Sequence, residues 1–261
     1  ASIANPPREF DVEALIPHWM NRLENGWKSW ICTMTKETYA QVRQGVPLAH
    51  LGGGSNATAI RHVAAHAYYD DEEILARVSR KAMFTHRHPE ALDGGEFFAR
   101  VTHRVINGAT PRDAIERVAV QMGGFIETKV AQAIAKHKEA TDENSELSKE
   151  QFCDDLALTS MAKLWDVGRS EPIKVGKASP TQGTLPGSVY FILKYADNPD
   201  GLNEAIAANA MVGGDNASRG IAIGMVLGAY FGVESIKPLW RETLDQWDYC
   251  EELLNRLPLL K

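Results

Sequence analysis

The segment Gly213-Gly214-Asp215-Asn216-Ala217-Ser218-Arg219-Gly220-Ile221-Ala222-Ile223-Gly224-Met225-Val226-Leu227-Gly228-Ala229-Tyr230-Phe231-Gly232 passes from a glycine pair and an aspartate straight into an apolar run. Gly220, Gly224, Gly228 and Gly232 are spaced four apart, a period that puts them on one face of a helix. The sequence therefore predicts a helix beginning just after Asp215, with a row of small residues along which another helix can pack closely. The apolar stretch Ile221 to Phe231 falls well short of the roughly 20 residues that a bilayer span requires, so this helix belongs to a protein core.

Working outward, apolar residues recur at three- and four-residue intervals over most of the chain, and no convincing alternating run marks a strand. The predicted class is all-α. Phe10-Asp11-Val12-Glu13-Ala14-Leu15 reads as a helix start with an acidic first turn, running through Trp19 and Leu23 toward Gly26. Gly52-Gly53-Gly54-Ser55-Asn56 reads as a loop, because successive glycines carry too much backbone entropy for a helix. A helix from about Ala57 to Tyr69 is expected next, then one opened by Asp70-Asp71-Glu72-Glu73 and broken before Pro89. Further helices are expected from about Glu90, Thr110, Gly124 and Ser148. Thr110-Pro111-Arg112-Asp113 supplies a side-chain cap, a proline at the first helical position and an aspartate in the first turn. Lys138 to Lys149 reads as an exposed charged connection, and Gly176 to Gly187 as a loop from which Thr184-Leu185-Pro186 opens a helix. Asp197-Asn198-Pro199-Asp200-Gly201 is a turn. With no repeat and no linker, residues 1–261 are expected to form a single multi-helix domain.

Composition narrows the partners. Of the 261 residues 44% are apolar and 24% charged, with a net charge of −6. Nucleic acid is an unsuitable partner, since phosphate binding needs clustered lysine and arginine, and no stretch suits a membrane span. Cys32, Cys153 and Cys250 are odd in number and lack zinc-type spacing, which fits reduced thiols in an intracellular, by preference cytoplasmic, setting. Because the chain starts at Ala1 without methionine, an organelle reached after cleavage of a targeting segment stays open.

Asp215 precedes a helix, where backbone amides and the positive dipole end favour anionic groups; the plainer reading is an N-cap. His62 and His66 lie four apart, without the surrounding glutamate pattern of a zinc hydrolase, and read as core or surface histidines. Trp19, Trp27 and Trp30 read as packing residues rather than as a stacking platform.

Several blocks together resemble the ADP-ribosylglycohydrolase family. Ala205 to Asp215, followed by Gly224-Met225-Val226-Leu227-Gly228-Ala229-Tyr230-Phe231-Gly232, is similar to that family's C-terminal signature. Ser55-Asn56-Ala57-Thr58-Ala59-Ile60-Arg61 resembles its serine/asparagine turn ending in Met-Arg. Thr85-His86-Arg87-His88-Pro89-Glu90-Ala91 resembles its Thr-His-x-x-Pro-x-Ala step, and Thr184 to Tyr190 resembles a fourth block. The order holds from about Phe10 to Leu257. The resemblance implies an all-α fold without the family's N-terminal helices, and an ancestral reaction in which a glycosidic bond of an ADP-ribosyl group is hydrolysed with two magnesium ions.

Carried over residue by residue, it implies catalytic roles for Asp215 and His86, ligand contacts from Ser55, Asn56, Arg61, His88, Gly213, Gly214 and Asn216, and a degenerate metal site at Asp215 and Ser218. The family's Gly-Gly-Asp-x-Asp-[Thr/Ser] reads here with Ala217 in place of the second aspartate, and a methyl cannot coordinate a cation. The family's Asp-Asp-Thr block and opening Gly-Asp-Ala-x-Gly helix have no counterpart, and Asp70-Asp71 and Asp154-Asp155 fall in the wrong order to replace them. Magnesium dependence is therefore doubtful. The implied partner is a small ADP-ribose-like ligand, with a protein partner or homo-oligomer open. The altered motifs are closest to the branch with jellyfish J-class crystallins and selenoprotein J. That leaves three functional readings: a divergent glycohydrolase-like pocket protein, a non-catalytic structural or assembly protein, or a metal-free acid/base enzyme of new chemistry.

Overall fold

Several helix starts are set by side chains that take up free amides of the first turn. A computed structural model describes residues 9–161, 164–165, 173–174 and 177–260. Asp11 accepts from the amides of Glu13 and Ala14 and opens α1 (Val12–Asn25), which ends at Gly26. Cys32 Sγ accepts from the Thr35 amide and opens α2 (Thr33–Arg43). Asp71 caps α3 (Glu72–Ala82), and Thr110 Oγ1 accepts from Asp113 to cap α5 (Pro111–Met122), as the sequence predicts. Between them lies α4 (Pro89–Ile106). The chain continues through α6 (Gly124–Thr141), α7 (Cys153–Ser160), α8 (Thr181–Tyr195), α9 (Gly201–Val212), α10 (Asn216–Phe231), α11 (Pro238–Thr243) and α12 (Trp247–Leu254). A two-residue antiparallel pair, β1 (Leu164–Trp165) with β2 (Ile173–Lys174), matches Leu164 to Lys174 and Trp165 to Ile173. Among the described residues no helix is long and apolar enough to cross a membrane.

Helices α4, α5, α6, α8, α9 and α10 share one apolar core around Phe97, Phe98, Ile115, Leu185, Phe191 and Val226. Each such side chain contributes about 1.5–3 kcal/mol on leaving water, so this body dominates the stability. Helix α8 runs through its centre, with every residue from Thr184 to Leu193 buried. Arg100 of α4 ties α3 to this body through Glu72 and Glu73 and is held in place by Glu96 of its own helix.

Several expectations need correction. Ala57 to Tyr69 is not an α-helix: Asn56 Oδ1 accepts from both the amide and the hydroxyl of Thr58, which fixes a turn, and only a 3-10 segment, Val63–Ala67, follows. His62 and His66 therefore do not stand one α-turn apart. Helix α2 was not foreseen. Helix α6 extends to Thr141, over the first part of the stretch read as a connection, and the helix expected near Ser148 is a short 3-10 turn followed by α7. Helix α8 opens at Thr181 rather than Thr184; Gly176, at the start of that expected loop, lies outside the described residues. The glycine row on α10 is only partly packed: a Cβ at Gly220 would stand 3.6 Å from Asn209 Nδ2 of α9, whereas at Gly224 or Gly228 it would meet nothing within 4 Å among the described residues. The buried face of α10 consists of Ala222, Ile223, Met225, Val226 and Leu227 alongside Arg219.

Candidate functional site

The site is built on the turn between α9 and α10. Gly214 has φ +66°, and a Cβ there would lie 2.2 Å from the Lys177 carbonyl oxygen, so both conformation and space require glycine. The Asp215 amide donates to that same carbonyl at 2.8 Å. Asp215 Oδ1 accepts from the Ser218 amide at 3.4 Å, as an N-cap does, while Oδ2 accepts from Asn56 Nδ2 at 3.1 Å. Asn56 Nδ2 also approaches Ser218 Oγ at 3.4 Å. The cap and the ligand-site readings of Asp215 therefore coexist in one side chain.

Behind the turn, Arg219 is wholly buried. Its Nε donates to Asn209 Oδ1 at 2.9 Å, and its other nitrogens donate to the Gly213 and Lys177 carbonyls at 2.6 and 3.3 Å. Burial lowers its pKa to about 10, with Asp215 opposing the shift. One arginine thus fixes both flanks of the loop that presents Asp215, a role the sequence reading did not assign. Its signal was a lone arginine four residues after the aspartate, inside an otherwise small and apolar run.

The opposite wall comes from the glycine loop and the end of α3. Gly54 is required by close approach, since a Cβ there would stand 2.7 Å from His86 Cδ2. His86 is buried, with Nδ1 2.9 Å from Thr85 Oγ1. Burial, reinforced by Arg61 and opposed by Asp215, lowers its pKa to about 4, so the imidazole is neutral at neutral pH and available as a base rather than as an acid. Arg61 stacks over the Phe84 ring and donates to the Ala59 carbonyl and Thr35 Oγ1. Among the described residues it has no carboxylate partner, and burial lowers its pKa.

These walls enclose one cavity of about 730 Å³, lined by Asn56, Arg61, His86, Asp215 and Ser218. Five residues singled out from sequence thus meet in one place. The others do not line it: His88 is exposed at the start of α4, Ser55 ties its loop to Thr181, and Gly213, Gly214 and Asn216 shape the turn behind Asp215. Trp19, Trp27 and Trp30, read as packing residues, line the cavity together with Cys32. Trp19 also packs edge-on against Phe84, and Trp30 is 80% exposed at the rim. Asp215 is the one carboxylate among the described lining residues, and both of its oxygens already accept hydrogen bonds. Ala217, at the expected second carboxylate position, is exposed.

A many-helix fold with a cleft built on a glycine-aspartate turn defines a class, and comparison with known proteins gives it a family. The family model for ADP-ribosylglycohydrolase matches residues 2–261, and the chain belongs to that family. It is 24% identical over 218 residues to the ADP-ribosylhydrolase ARH3 of Danio rerio, a match covering 79% of this chain and 57% of that protein. The chain therefore corresponds to little more than half the length of that relative. A solved structure described as an ADP-ribosylglycohydrolase-related protein complex superposes with a TM-score of 0.61 at 19% identity, covering 97% of this chain and 75% of that one, a likeness of fold.

Proposed function

We propose that this cavity is a binding pocket for an ADP-ribosyl group or a related glycoside, and that hydrolysis on a two-magnesium centre is not carried by these residues. The observation that supports the reading is the convergence of Asn56, Arg61, His86, Asp215 and Ser218, from separate segments, on one cavity of about 730 Å³. Arg61, without a carboxylate partner, supplies positive charge for a phosphate, and its planar fork suits bidentate contact. Ser218 offers a hydroxyl to a sugar hydroxyl, while Asn56, whose amide is engaged with Thr58 and Asp215, holds the Asp215 carboxylate in position. The donor set does not fit two magnesium ions. Magnesium needs hard oxygen ligands in near-octahedral array, and one doubly hydrogen-bonded carboxylate and one hydroxyl leave almost the whole of two shells to water.

Calorimetric titration of the full chain with ADP-ribose, in magnesium and in chelator, tests this. Equal binding in both, weakened by about tenfold or more in Arg61→Met, is expected. No binding at saturating ligand, or magnesium-dependent release of ADP-ribose from modified substrates, overturns it.

One observation favours a metal-free hydrolase as a second reading. His86 is neutral, and when its Nδ1–H donates to Thr85 Oγ1 the free lone pair lies on Nε2, a base in the same cavity as Asp215. Turnover that persists in chelator and disappears in both His86→Asn and Asp215→Asn supports it; turnover that vanishes in chelator excludes it.

A further inference from the structure

Just after the cavity-lining stretch Ala59-Ile60-Arg61, the 3-10 segment Val63–Ala67 packs against α3 and against the turn Pro258–Leu260 near the end of the chain. It carries His66, with His62 immediately before it. The two imidazoles are neighbours, with ring centroids 6.1 Å apart and planes inclined by 53°. His62 is 2% exposed. Among the described residues none of the four ring nitrogens is accessible or has a hydrogen-bond partner. Interior polar atoms are ordinarily satisfied, so two adjacent imidazoles with every nitrogen idle are unusual.

We propose that His62 and His66 are two ligands of a binding site for a borderline-soft divalent ion of the zinc class. With a zinc–nitrogen bond of about 2.0 Å and the ring centre about 1.2 Å further on, two imidazoles on one ion stand about 5.2 Å apart in tetrahedral and about 6.4 Å apart in linear arrangement. The observed 6.1 Å is about 0.9 Å wider than the tetrahedral separation, so the two side chains close by that amount on the ion. Burial lowers the pKa of His62 to about 3 and of His66 to about 4, which keeps both lone pairs free of protons at neutral pH. Imidazole suits zinc, nickel and copper and disfavours magnesium. Among the described residues no group of three or more histidines, cysteines or carboxylates is already gathered around one point, so water, or His103 of α4 after a side-chain rotation, fills the remaining positions. His103 acts electrostatically on His66 from that helix. Half-buried His66 places the pair near the surface, where an ion can enter. The site shares no lining residue with the cleft, though His62 follows Arg61 directly, and ADP-ribose titration of the same variants tells failure of this proposal from failure of the ADP-ribosyl reading.

The experiment follows the histidine ring resonances of the full chain, freed of metal by chelator, as zinc chloride is added, with magnesium chloride as control. Zinc is expected to shift the His62 and His66 resonances together at one equivalent and to raise the melting temperature. In His62→Gln and in His66→Gln, checked for helical circular dichroism, affinity is expected to fall by about tenfold or more. Zinc shifts confined to other histidines of the wild-type protein overturn the proposal, whatever the variants do. So does a zinc affinity that folded His62→Gln and His66→Gln leave unchanged.

Discussion

Asp215 serves two ends with one side chain, and substitution separates them. Asparagine is as good an N-cap as aspartate, so Asp215→Asn is expected to leave urea-unfolding stability within about 0.5 kcal/mol, whereas Asp215→Ala is expected to lose about 1 kcal/mol. Both are expected to weaken ADP-ribose binding, which calorimetry reads separately. Arg219→Met removes the donors to Asn209 Oδ1 and the Gly213 carbonyl and leaves the Lys177 carbonyl with the Asp215 amide alone, so a loss of about 3 kcal/mol is expected by the same unfolding measurement. His86 has its folded pKa near 4, below the ordinary 6.5, so the unfolded chain binds its proton first. Its contribution is complete above about pH 6.5 and is lost as pH falls toward 4, at up to about 1.4 kcal/mol per pH unit. His86→Asn is expected to show a correspondingly shallower decline between pH 6.5 and 4. Asp215, Asn56, Arg61 and His86 were legible because each sits in a short block whose spacing survives. Trp27 and Trp30 were not, because only the fold of the loop after α1 shows that they turn onto the cavity. Arg219 was hidden for a related reason: a buried arginine is revealed by the carbonyls around it, and those come from distant residues.

At the scale of elements, the described helices divide into a buried set and a peripheral set. Helix α8 is buried over most of its length, whereas α11 and α12 bury no residue. Hydrogen exchange followed by mass spectrometry is expected to show α4, α8 and α10 exchanging slowest and α12 fastest; comparable protection of α12 would contradict this ranking of burial. Local chemistry made some elements readable. Thr110-Pro111-Arg112-Asp113 carries its own cap, and Asp71 announces α3, so both starts fall where the sequence places them. Helix α2 escaped because Thr33-Met34-Thr35-Lys36-Glu37-Thr38 gives no apolar stripe and its cap is a thiol. The segment after Asn56 misled in the opposite way: its alanines and apolar residues keep a helical rhythm, but the asparagine side chain captures the Thr58 donors before a helix can start. Spacing also overstated the α10 glycines, since period establishes a shared face and not what lies against it.

Across the whole molecule, the main core is an apolar cluster between Ala57 and Leu227 to which most helices contribute, with a smaller separate cluster of Tyr69, Leu75 and Val78. Differential scanning calorimetry is therefore expected to give a single transition whose calorimetric and van't Hoff enthalpies agree; two resolved transitions would mean that the chain folds as separate units. The three thiols are distributed over this body in a useful way. Cys32 lies on the cavity wall, Cys153 is half-buried against the core, and Cys250 is exposed on α12. Replacing Cys250 with serine would leave Cys32 as the thiol best placed for attaching a fluorophore at the mouth of the cleft. The protein thus carries a built-in attachment point from which occupancy of the cavity can be followed by emission, before any substrate has been named.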